Sequence, residues 1–143
     1  MSTWITTLQK SIIVFVGTVD DGSPTFINAP VDTNGWDHAT WFLGVNGIDT
    51  TLDMKIQEDS DSAFGSGTDI TDKALTQLTA DSDEKIYAME IPNLSSGTRE
   101  RYQQPVITVG NGAVGATFSV WCVLSGFIAT AEAQAEAGFA EIV

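Results

Sequence analysis

Residues 54–70, MKIQEDSDSAFGSGTDI, gather four acids, three serines and two glycines behind a run of alternating apolar residues. Oxygen-rich loops of this kind hold calcium when their spacing is right. An EF-hand loop needs ligands at its first, third and fifth positions, glycine at the sixth and glutamate at the twelfth. Counting from Asp59 gives Asp59 and Asp61, then Ala63, Phe64 at the glycine position and Ile70 at the glutamate position, so the motif fails. A looser cage of Asp59, Asp61 and Asp69 is the alternative, since Ca²⁺ accepts irregular carboxylate and carbonyl ligands. The bland reading is a hairpin tip: Met54 and Ile56 feed the core, the acids at 58–61 face water, and Phe64 folds back to cap the end of the domain.

Nucleophilic catalysis would have to use the one histidine, His38, in GWDHATW at 35–41. In an extended strand Asp37 points the opposite way, so the pair is not a preformed dyad. One histidine and one cysteine are too few for an ordinary zinc site. Nineteen acids supply any number of carboxylate pairs, so their mere presence does not indicate glycoside cleavage. The acids of DSDE at 81–84 sit at a strand entrance, where they solubilise. Gly110-Asn111-Gly112 leads into a strand rather than a helix, which is not a phosphate loop. No catalytic residues, no metal and no cofactor are expected, and the chain does not read as an enzyme.

The 143 residues carry 6 Lys+Arg against 19 Asp+Glu, a formal net charge of −13. Such a surface repels a phosphate backbone, so direct nucleic-acid binding is not expected. No uninterrupted apolar stretch is longer than that at residues 120–124, which is far short of a membrane span, and the lone Cys122 cannot form an internal disulfide. A soluble product made in the cytoplasm, with no membrane partner, is the expectation.

The elements that would position these residues have period two. Leu52, Met54 and Ile56 alternate with Asp53, Lys55 and Gln57, and Phe118, Val120, Cys122 and Leu124 alternate with Ser119, Trp121 and Val123. Further strands are expected at 12–19, 24–28, 38–45, 75–79, 86–91 and 102–109, separated by turn signals such as Asn34-Gly35 and Asn46-Gly47. The fold class is all-β, an antiparallel β-sandwich or jelly-roll-like domain of seven to nine strands. It spans residues 11–128, between an N-terminal arm at 1–10 and a C-terminal extension at 129–143 with a short helix pattern at 130–138. Trp41 and Phe42 are adjacent and Trp121 opposes the Phe118 face, so some aromatic surface must leave the core: it points outward toward a partner or a sugar, or it is covered by the second sheet and the terminal arms.

DTNGWDHATWF at 32–42, DTTLDMKIQE at 49–58, DSAF at 61–64 with GTDI at 67–70, and RERY at 99–102 running to VITVG at 106–110 together resemble small accessory proteins of tailed-phage heads. These are decoration, cement or head-spike base proteins, and the resemblance covers roughly residues 31–123. It departs at Pro105, which implies an edge strand or a bulge, and in the extension at 126–143. The resemblance implies a virion protein on the outer surface of the head, made in the host cytoplasm. It would bind the assembled lattice of the major capsid protein alongside other copies of itself or other virion proteins. Its expected contacts are Trp4, Trp121, Phe127 and Phe139, with Arg99 and Arg101 as a second choice. The alternative is a carbohydrate- or receptor-binding sandwich module, calcium-dependent through the acidic loop.

Overall fold

A computed structural model of the chain describes residues 9–19, 24–26 and 30–127. Trp4, Phe139 and the helix pattern at 130–138 lie outside the described residues, as do nearly all of the N-terminal arm and the whole C-terminal extension. Among the described residues nine strands follow in order: β1 (Gln9–Val19), β2 (Pro24–Phe26), β3 (Val31–Asp32), β4 (Trp36–Ile48), β5 (Leu52–Asp59), β6 (Thr68–Ala74), β7 (Ile86–Ile91), β8 (Tyr102–Val109) and β9 (Ala116–Phe127). The helical elements among the described residues are two 3₁₀ turns, Ala80–Ser82 and Leu94–Ser96.

Pairing is nested. β1 pairs with β9, β2 and β3 with β8, β4 with β7 and β5 with β6, all antiparallel. That long double ribbon then folds over so that β9 also pairs with β4 and β8 with β5. The result is two sheets, β1-β9-β4-β7 and β2-β8-β5-β6 with β3 beside β8, which is the strand order of a jelly roll. The all-β sandwich expected from the alternating pattern is the fold observed.

Alternation decides what each strand buries. Ala39, Trp41, Leu43 and Val45 of β4, Leu52, Met54 and Ile56 of β5, Ile107 and Val109 of β8, and Phe118, Val120, Cys122 and Leu124 of β9 fill the space between the sheets. Each large side chain among them contributes about 1.5–3 kcal/mol by leaving water. One polar pair sits within this core: the Trp41 indole Nε1–H donates to Gln103 Oε1 at 3.0 Å, with both residues fully buried. Gln103 Nε2 finds no acceptor among the described residues.

Three expectations are corrected. Pro105 lies in β8, an inner strand rather than an edge. The Leu75 N–H donates to the Met54 carbonyl, so the backbone groups of Met54 and Ile56 face β6, and Pro105, opposite Ile56, turns its nitrogen away from β5. On that side β2 pairs down to Val106 and β3 begins at Gln103, so no described strand residue asks Pro105 for a hydrogen bond. Residues 75–79 form no strand: they run along the edge of β5 through Leu78 and Leu52, and the preceding residues 68–74 supply β6. The acids at 58 and 59 do not face water, since Glu58 and Asp59 are 9% and 4% exposed.

Candidate interaction surfaces

The outer face of the four-stranded sheet is organised in cross-strand rows. Ile13, Trp121, Phe42 and Ala88 stand side by side across β1, β9, β4 and β7. On either side lie Val16, Ser119, Gly44 and Ile86, and Ser11, Val123, Thr40 and Glu90. A bulge at Val14 makes the first two rows possible, because it shifts the register between Ile13 and Phe15 and leaves both Ile13 and Val16 pointing outward. Ile13 is 76%, Val16 70% and Ile86 69% exposed. At the centre the rings of Phe42 and Trp121 stack with centroids 5.2 Å apart and planes 8° apart. Gly44 makes room for this stack, since a Cβ there would lie 2.9 Å from Ser119 Oγ and 3.2 Å from the Trp121 ring.

These three rows hold a single acid, Glu90, and no lysine or arginine. The outer face of the other sheet is different in kind. There Lys55 Nζ meets Asp69 Oδ2 at 2.7 Å, Gln57 donates to Asp69 and Gln77 to Asp53.

A second feature lies at the end of the sandwich where β1 begins and β9 finishes. A cleft of about 410 Å³ is lined by the β3–β4 turn, by Trp36 and Leu94, and by Arg99 and Arg101. Both arginines are engaged. Arg99 Nη1 donates to Glu58 Oε1 at 3.0 Å, which explains why Glu58 turns inward, and Glu58 also accepts the Glu100 N–H. Arg101 grips Asp32 with two bonds, Nε to Oδ1 at 3.0 Å and Nη2 to Oδ2 at 2.8 Å. Burial raises the Asp32 pKa, but the Arg101 and Asn34 hydrogen bonds and the nearby positive charges outweigh it and hold the carboxyl below its ordinary value. Phe127 packs on Trp36 at the same end, with centroids 4.9 Å apart.

The expected contact residues thus divide. Trp121 belongs to the apolar face, whereas Phe127, Arg99 and Arg101 belong to the cleft end, where the terminal segments carrying Trp4 and Phe139 join the described chain. Ile13, Val16 and Ile86 escape a reading by alternation alone. The available signal was the unbroken apolar run at 12–16, which leaves no wet face on β1.

The acidic loop is not assembled as a calcium cage. Asp59 accepts the N–H groups of Asp61 and Ser66, and these bonds lower its pKa. Asp61 caps Ala63, and Asp69 is bound by Lys55 and Gln57, which hold its carboxyl below the usual range. Among the described residues no group of three His, Cys, Asp or Glu side chains is placed to hold a metal. Phe64 covers Gly67 of its own loop rather than capping the domain, since a Cβ on Gly67 would meet its ring at 2.7 Å.

His38 is closer to Asp37 than an ideal strand allows, with Nδ1 3.4 Å from Oδ2. The Ser95 hydroxyl donates to the other Asp37 oxygen, which lowers the Asp37 pKa. The carboxylate therefore stands between serine and histidine. A triad needs the imidazole in the middle to take the serine proton, and this order cannot do that.

Fold and surface together define a jelly-roll β-sandwich with one aromatic sheet face whose three central rows hold a single charge, Glu90. No family model and no curated protein sequence matches the chain. Among solved structures it is similar to a subunit of Bacillus endospore appendages, a family of disulfide-linked pili. The TM-score is 0.52 at 10% identity, over 87% of this chain and 90% of the other. A second similar structure is the SPBc2 prophage-derived protein YomS, with a TM-score of 0.48 at 8% identity, over 88% of this chain and 100% of that one. The first likeness concerns the fold.

Proposed function

We propose that the chain is a structural accessory protein of a phage virion, binding the outside of the assembled capsid lattice as a decoration or cement protein or as the base of a head spike. The observation that carries this reading is the aromatic, nearly charge-free face on a domain of net charge −13. An apolar row that crosses all four strands, with Ile13, Val16 and Ile86 well exposed, marks a surface that other protein covers. The jelly roll is an architecture of viral capsid proteins, a fold-level analogy that agrees with the sequence resemblance.

In this reading the major capsid protein meets the cleft end, through Arg99, Arg101 and Phe127 and the terminal segments carrying Trp4 and Phe139. A protein that binds only the assembled shell stabilises it by mass action, and many weak copies on one lattice sum to a large effect. The chain would be made in the host cytoplasm and reside on the outer surface of the head. The disulfide linkage of the endospore pili does not transfer. Cys122 is the one cysteine of the sequence, lies within the core, and burial pushes its thiol up to about 12.

The test is to purify heads with and without the chain. Co-sedimentation and higher thermal or osmotic endurance of decorated heads are expected, and heads that neither bind the protein nor gain endurance would end the proposal. Deleting residues 138–143 is expected to weaken attachment while the domain still folds.

A further inference from the structure

The outer face of the β1-β9-β4-β7 sheet needs a partner whose own surface carries no charge opposite it. Accepting it as an assembly surface, we infer that its occupant is the same face of a second copy, packed sheet on sheet about a two-fold axis. Charge selects this arrangement. Two molecules of net charge −13 repel at any approach that sets acid against acid, and the other sheet presents Asp53 and Asp69. The rows through Ile13, Trp121, Phe42 and Val16 are where two copies can meet with only Glu90 to accommodate. Glu90 lies on β7, an edge strand, so a two-fold axis through the Phe42–Trp121 centre leaves it at the wet rim.

Size sets the strength of such a contact. Four strands at about 4.8 Å and the six residues of β7 at about 3.3 Å make a face of roughly 19 Å by 20 Å. That is roughly 400 Å² of projected surface per copy and about 800 Å² in a pair, the size of a weak, concentration-dependent contact. The stacked aromatics are central and the hydroxyls of Ser11, Thr18 and Thr117 are peripheral, which is how interfaces with a dry centre and a polar rim are built. Two sheets meeting this way pack about 10 Å apart with interleaved side chains.

Sedimentation equilibrium of the full chain between about 1 and 100 µM tests the inference, with dissociation constants read as concentrations. A monomer–dimer equilibrium is expected that tightens with added salt, because screening removes the repulsion between acidic copies while the apolar contact persists. Ile13→Glu and Val16→Glu, both at well-exposed positions, are each expected to weaken it at least about tenfold while unfolding stays cooperative. Asp53→Asn, on the opposite sheet, is expected to leave it unchanged or slightly tighter. A chain that is monomeric at every concentration overturns the inference, as does a dimer indifferent to both glutamates. So does a monomer whose face gains hydrogen exchange only when residues 128–143 are removed, since the chain's own segment would then cover it. Head binding by a strictly monomeric chain would defeat the dimer and leave the virion reading standing. A dimer that ignores heads would do the reverse.

Discussion

The Trp41–Gln103 bond allows a quantitative test of how the core is held together. Trp41→Phe removes the indole N–H and leaves Gln103 Oε1, fully buried, without its donor. An orphaned buried acceptor costs about 1–3 kcal/mol. The smaller ring also leaves a gap of roughly 40 Å³, which at about 24 cal/mol per Å³ adds about 1 kcal/mol. The expected loss is therefore about 2–4 kcal/mol. Gln103→Leu has opposing effects: it orphans the indole N–H, but it also deletes Nε2, which has no acceptor among the described residues. Those contributions are of similar size and opposite sign, so the net change is within about 1 kcal/mol of zero. In the double variant the polar groups leave together, so the gap costs about 1 kcal/mol while deletion of Nε2 returns about 1–3 kcal/mol, and the net runs from no change to a gain of about 2 kcal/mol. The double variant is thus expected to be more stable than the sum of the singles by at least about 2 kcal/mol, as measured by urea unfolding with unchanged m-values. Additivity within about 0.5 kcal/mol, or a Gln103→Leu loss larger than that of Trp41→Phe, would refute the reasoning.

Three further outcomes follow from side chains described above. Asp32→Asn is expected to destabilise at pH 7, with the difference from wild type shrinking as pH falls through and below 3.8, the ordinary carboxyl value. A depressed folded pKa stabilises above the unfolded value and that gain is lost on protonation, so a difference constant from pH 7 to pH 3 in urea midpoints would contradict the Arg101 pairing. Cys122 is expected to resist a thiol reagent at pH 8 in the folded protein and to react at once in urea, since its thiol is buried and its pKa is about 12. Fast labelling of the native chain would show that the core between β1, β9 and β4 opens. The thermal midpoint is expected to be the same in calcium and in chelator, and a rise with calcium would restore the Asp59, Asp61 and Asp69 cage.

Alternation made much of the sandwich legible. β7 and β8 begin and end where the pattern places them, and β4 and β9 extend the strands read from the aromatic and Cys122 segments. β6 escaped because TDITDKA buries Ile70 alone, so it has almost no apolar period, while LTQLT at 75–79 has the period without a ladder. β3 escaped because two residues carry no period at all. Pro105 misled for a sound reason: a missing N–H is costly beside a partner strand, but sequence does not reveal that its nitrogen turns away from β5 to a side where no described strand residue pairs with it. The candidate surface was half legible. Trp121 was assigned outward from its neighbours, but its row with Phe42, Ala88 and Ile13 joins residues from four strands whose register only the fold supplies.

The position of β9 governs the order in which the domain can come into being. It is the last described strand to be synthesised, yet it lies inside its sheet, with β1 on one side and β4 on the other. Gln9 must find Ser125 and Val19 must find Ala116, closures that span most of the chain. Before β9 is made, β1 and β4 each lack a partner along one edge, and the apolar run at 12–16 has nothing to pair with. Folding of the four-stranded sheet is therefore a late event rather than a progressive one, with the slow kinetics that long loop closures impose. A growing chain interrupted before residue 116 is an aggregation hazard, because its strands are left with open edges.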